Sequence, residues 1–145
     1  MIFQRLGKFL LLLVILISPL ALASCTSSDS QDMAMPDFVQ SAPTRVKDAY
    51  RYAVSHADDL AAVPCYCGCG SMGHTSNLSC FISGYSKEGT PIFEPHASGC
   101  GICVDIAQDV MRLRSETKSL KEVRAAIDAT YSSFGPGTDT PLPSN

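Results

Sequence analysis

The chain has 145 residues, with 11 Lys and Arg against 14 Asp and Glu and a formal charge of −3. That balance gives no basic face for a phosphate backbone and excludes nucleic acid as a partner. Seven cysteines in so short a chain direct attention to disulfide, redox or metal chemistry.

Residues 1–24 read as a secretory signal peptide. Arg5 and Lys8 form a positive head, Phe9 to Ile17 is an unbroken apolar run, and small residues lead to Cys25. The run falls short of the ~20 apolar residues that span a bilayer. The stretch LASC, Leu22 to Cys25, resembles the bacterial lipobox. That resemblance implies that Cys25 becomes the first residue of the mature chain and carries lipid, placing the protein on the extracytoplasmic face of the cell membrane. The partner so implied is the lipid bilayer, reached through acylated Cys25; ordinary secretion with a free thiol is the alternative. Without residues 1–24, nine basic residues face fourteen acidic ones, so no polybasic patch assists and the lipid does the anchoring.

Residues 25–43 are expected to form a lipidated, flexible tether, being polar, interrupted by two prolines and without a period. Met33 and Met35 make a Met-x-Met pair of the kind that holds Cu(I), read here as coincidence. A single domain is expected over residues 44–134. Its first helix starts at Pro43 and Thr44, carries Val46, Ala49, Tyr50, Ala53 and Ala57 at helical spacing, and stops at Pro64. His56 is expected on its solvated side.

The second helix starts near Cys100, with Val104, Ala107, Val110, Met111 and Leu113 as its apolar stripe and Met111 in the core. The third follows Ser119, which stands in capping-box register with Glu122, carries Val123, Ala126, Ile127 and Tyr131 at helical spacing, and ends at Gly135. Between the first two helices lies an irregular Cys/Gly-rich region with a short hairpin pairing CFISGY with TPIFEP. The predicted fold is thus mainly α, about three helices around an irregular loop region. Residues 135–145 are expected to be a disordered tail.

With Cys25 assigned to lipid, six cysteines remain: Cys65, Cys67, Cys69, Cys80, Cys100 and Cys103. In extended backbone the first three would share a face at about 7 Å spacing, and Gly68 and Gly70 allow the chain to curl and bring the sulfurs closer. Cys-x-Cys makes a strained internal disulfide but a good thiolate row. Cys100 and Cys103 open a helix, where free N–H groups stabilise a thiolate, and Cys-x2-Cys is a common zinc ligand pair. His74 and His96 lie beside these clusters.

Three chemistries use these residues. An even count of thiols in an exported domain suits structural disulfides and a stapled interaction module. CGIC resembles a thioredoxin-type dithiol, making Cys100 and Cys103 a redox pair with a redox partner protein, although no βαβ context surrounds it. A metal site uses the most residues: all six cysteines with His74 and His96. Soft donors select Cu(I) or zinc, and copper ranks ahead because bridging sulfurs use more of the thiols. Glu88 and Glu94 are the only carboxylates of the segment, which disfavours calcium and magnesium. No nucleophile–base order, phosphate loop or HExxH marks an enzyme.

The stretch VPCYCGCGSMGHTSNLSCFI followed by HASGCGICVDIA resembles the bacterial PCYCGC-motif lipoproteins, over about the whole domain. The resemblance implies an exported, lipid-anchored protein with Cys65, Cys67, Cys69, His74, Cys80, Cys100 and Cys103 as signature positions. Ser79 stands where an acidic residue is expected. The family is named for its motif, so the choice of metal and of a trafficking partner rests on the residues.

Overall fold

The computed structural model describes residues 35–144; the expected signal peptide, Cys25, Met33 and most of the tether lie outside them. The described residues hold six α-helices and one antiparallel hairpin: α1 (Asp37–Gln40), α2 (Thr44–Ser55), α3 (Ala57–Ala61), β1 (Ile82–Tyr85), β2 (Pro91–Phe93), α4 (His96–Gly99), α5 (Gly101–Ser115) and α6 (Leu120–Tyr131). Two 3-10 turns, Cys69–Met72 and Leu78–Cys80, lie between α3 and β1. The mainly helical fold expected from the sequence is the fold observed.

Three longer helices build the scaffold, α5 packing against both α2 and α6. Tyr50, Leu60, Phe81, Ile106, Val110, Val123 and Ile127 are buried between them. Tyr50 organises one end: it meets Phe81 edge-on, ring centroids 5.0 Å apart, and its hydroxyl donates to the Glu94 carbonyl at 2.6 Å. A buried phenol needs such a partner, and this one ties α2 to the segment after the hairpin. α6 begins with the predicted capping box, Ser119 N–H donating to Glu122 Oε2 at 2.8 Å and Glu122 N–H to Ser119 Oγ at 3.4 Å. β1 and β2 pair Ile82 with Phe93 and Tyr85 with Pro91, with an irregularity before Gly84. Among the described residues no helix is long and apolar enough to cross a membrane.

Four expectations need correction. The first helix breaks at His56 (φ −136°, ψ 46°). The break turns α3 so that Leu60 enters the core and the half-buried Ala57 does not. It also lets the Tyr52 hydroxyl donate to Asp59 Oδ2 at 2.6 Å, which Arg114 Nε also reaches at 3.1 Å. His56 is exposed, as expected, stacked on Tyr52 at 4.3 Å. Met111 is only half-buried, beside Tyr52, His56 and Arg114, and Ile106 takes the core position instead. The tether is not free along its whole predicted length: from Met35 on it docks, α1 burying Val39 and setting Met35, Phe38 and Ala42 against the core.

The tail is the largest correction. Residues 136–144 run back over the cysteine region in place of a disordered end. Thr138 and Thr140 are each 7 % exposed. Thr138 N–H donates to the Cys65 carbonyl and Cys65 N–H to Thr138 Oγ1, both at 3.0 Å. Thr140 Oγ1 donates to the Thr75 carbonyl at 2.6 Å, and Arg124 Nη1 donates to the carbonyls of Thr140 and Pro141. Gly137 lies so close to the Tyr66 ring that a Cβ would stand 3.0 Å from it. The Thr138 hydroxyl satisfies a buried backbone group of the cysteine row and that of Thr140 ties down the turn beyond it, roles that a composition of Gly, Pro and Thr conceals. Replacing Thr138 with valine leaves the Cys65 N–H without a partner, and we expect a loss of about 1–3 kcal/mol of unfolding free energy, measured by denaturant titration.

Candidate metal centre

The residues between α3 and the hairpin hold their shape without regular structure. Pro64 ends the helical segment, and Gly68 at φ +85° and Gly73 at φ +89° bracket the turn Cys69–Met72. Those left-handed positions suit glycine, and they curl Cys65, Cys67 and Cys69 together. The sulfurs of Cys65 and Cys67 are 3.5 Å apart, about half the spacing of an extended row. Asn77 anchors the next turn: fully buried, it donates N–H to the Val63 carbonyl at 2.9 Å and Nδ2 to the Cys103 carbonyl at 3.2 Å. That turn carries Cys80 inward.

The other half arrives from α4 and α5. His96 starts α4, its N–H donating to Glu94 Oε1 at 3.3 Å. Cys100 is the residue that caps α5, and Cys103 lies in its first turn, fully buried. The Cys103 sulfur is 3.2 Å from that of Cys65 and 3.5 Å from that of Cys67. Cys67 Sγ is 3.4 Å from His96 Nε2, Cys69 Sγ 3.6 Å from Cys80 Sγ, and Cys80 Sγ 3.4 Å from His74 Nδ1. The two imidazoles meet edge-on, 5.2 Å between centroids.

All eight residues singled out from the sequence therefore converge on one centre. Cys65, Cys69, Cys80 and Cys103 are buried, while Cys67, Cys100, His74 and His96 are half-buried and form its outer side. All six cysteines are free thiols, since a disulfide needs sulfurs about 2.05 Å apart. The donors fall into sets whose ligand atoms lie within 4.8 Å of one another: Cys67, His96, Cys100 and Cys103; Cys69, His74, Cys80 and His96; and triads of Cys65 with Cys67 and Cys69, and with Cys80 and Cys103. None of these sets includes a carboxylate.

The spacing suits a soft ion. Tetrahedral zinc with sulfur at 2.3 Å and nitrogen near 2.05 Å gives S···S edges of about 3.8 Å and S···N edges of about 3.5 Å. The closest pairs, 3.2–3.6 Å apart, need only small outward shifts to reach them, and the other donors of each set lie within 4.8 Å. Sulfur and imidazole donors without carboxylate fit Cu(I) or zinc and do not fit calcium or magnesium.

Protonation is shared across the cluster. Hydrogen bonds from Cys103 and then Cys80 pull the Cys65 thiol well below the ordinary thiol range. The same bond to Cys65 pushes Cys103 up, and burial pushes up Cys67 and Cys69. One thiolate is stabilised and its neighbours stay protonated, because further negative charge in a buried cluster is unfavourable. Burial, with His96 alongside, lowers the His74 pKa, leaving the neutral imidazole that a metal requires.

Sequence reasoning missed Asn77 and Thr138, which grip the backbone of Cys103 and Cys65. Neither has a side-chain pattern that marks it in advance. A family model described as "Protein of unknown function with PCYCGC motif" matches residues 18–143. The chain belongs to that family, as the motif Pro64–Cys69 leads one to expect. No curated protein and no solved structure matches the chain.

Proposed function

We propose that the protein is an exported lipoprotein, held by acylated Cys25 on the extracytoplasmic face of the cell membrane. Its cysteine cluster binds Cu(I), buffering it or passing it to a trafficking partner protein. The observation that carries the metal reading is the convergence of six free thiols and two imidazoles on one centre without a carboxylate. Copper ranks first because Cu(I) accepts thiolates that bridge between ions, and Cys65 touches or neighbours four other sulfurs. Zinc is the second reading, supported by the Cys3His set of Cys67, Cys100, Cys103 and His96. The redox reading of Cys100 and Cys103 draws less support. The Cys103 sulfur lies against Cys65 and Cys67, and its thiol is held in the protonated form, whereas exchange requires thiolate.

The test is an anaerobic titration of the reduced chain with Cu(I) against a colorimetric chelator. Withdrawal of copper from the chelator is the expected result. Six titratable thiols with all the copper left on the chelator would falsify the copper reading. The anchor has its own test: Cys25→Ser is expected to abolish acyl labelling and to move the protein out of the detergent phase or leave it unprocessed. Acyl labelling that persists in this variant removes the lipoprotein proposal and leaves the metal reading standing.

A further inference from the structure

We infer that the centre holds two metal ions side by side, one in each half, joined through the thiolate of Cys65. This rests on the metal reading above and adds the number of ions and the way they are connected. A tetrahedral ion such as zinc takes four donors, and the structure supplies eight, more than one soft ion of either kind uses. The largest mutually close sets among the described residues contain four donors each. One set is drawn from Cys67, the α5 pair Cys100 and Cys103, and His96; the other from the two 3-10 turns, Cys69 and Cys80, with His74, and His96 again within reach.

Cys65 belongs to neither four-donor set and lies between them. Each of its two triads crosses the divide: one joins Cys67 of the first half to Cys69 of the second, the other joins Cys103 of the first to Cys80 of the second. Its sulfur is fully buried, and its backbone is fixed on both sides by the paired bonds to Thr138. A sulfur in contact with Cys67 and Cys103 of the first set and within 4.8 Å of Cys69 and Cys80 of the second, with solvent excluded, is placed to donate a lone pair to an ion on each side. Charge points the same way. Six thiolates around one cation would leave a large buried excess of negative charge, and a second cation offsets part of it. Each thiol that binds gives up its proton to solvent, so loading is an exchange of protons for metal.

The test loads the reduced, metal-free full chain in detergent with 113Cd2+, a soft closed-shell ion that accepts the same donors and is observed directly by NMR. Two protein-bound resonances of equal intensity are expected, saturating at two equivalents and splitting one another through the shared sulfur. Cys100→Ser should displace one resonance strongly and His74→Asn the other; both residues are half-buried, so neither substitution empties the core. A single resonance that saturates at one equivalent overturns the two-ion inference and leaves the metal reading intact. Two resonances with no mutual splitting overturn the Cys65 bridge. No protein-bound cadmium at all, with the thiols reduced, overturns the metal reading itself.

Discussion

Removing metal from the loaded, reduced chain is expected to lower its melting temperature by about 15–30 °C. The argument starts from size: a domain of this length buries a modest core and often relies on metals or disulfides. Here the segment from Pro64 to Cys80 contains only two short 3-10 turns, yet it buries Cys65, Cys69, Asn77 and Cys80. Apart from the long-range grips of Asn77 and of the segment around Thr138 and Thr140, the hydrogen bonds of those turns are mostly local. Metal binding to such a site is largely folding free energy. At a free metal level a thousandfold above Kd the gain is about 4 kcal/mol, and each kcal/mol moves the midpoint of a domain near this size by roughly 4–8 °C. Calorimetry on loaded and chelated samples, both kept reduced, measures the shift. An unchanged midpoint shows that the centre is peripheral to the fold.

The second large effect concerns Cys103. Cys103→Ser is expected to weaken metal binding at least about a hundredfold, because loss of a mere supporting partner around a metal ligand already costs roughly 10–100-fold. The Cys103 sulfur contacts Cys67 of its own donor set and the Cys65 sulfur between the sets, so its removal disturbs one set and the link to the other. Serine keeps nearly the same volume, which separates the loss of a ligand from the loss of packing. His56→Ala is the control: that imidazole is exposed and stacked on Tyr52, outside every donor set, and its removal should leave affinity unchanged. Affinity should also fall as pH is lowered. Burial and the Cys65 thiolate keep Cys67, Cys69 and Cys103 protonated beyond the ordinary thiol range, so each must lose a proton to bind. Equal affinity for the Cys103 variant and the parent chain would place the metal elsewhere.

The donor set was legible in the sequence because cysteine and histidine in CYCGC, H, C, H and CGIC spacing admit few readings. The three long helices were legible for a different reason: Val46, Ala49, Tyr50 and Ala53, or Val123 and Ile127, repeat at the period of a buried helical face. The break at His56 was not, since a continuous stripe through Ala57 looks equally good in one dimension. The broken chain makes a side-chain bond that the one-dimensional pattern does not show, Tyr52 to Asp59. The tail was misread on composition. Gly137 has no side chain and therefore fits against the Tyr66 ring, and Thr138 and Thr140 serve backbone groups far away in sequence. Such long-range polar pairing leaves no local periodicity. The same holds for α1, whose single turn buries Val39.

If the six thiols of the domain hold metal, they are not a set of disulfides. Intact mass with metal analysis, on protein purified without reductant, tests it most directly. All six domain thiols are expected at their full hydrogen count once metal is removed, with two equivalents of a soft ion bound before removal. A mass lower by about two hydrogens for each cysteine pair, with no bound metal, would contradict it and make the cysteines the staples of an interaction module.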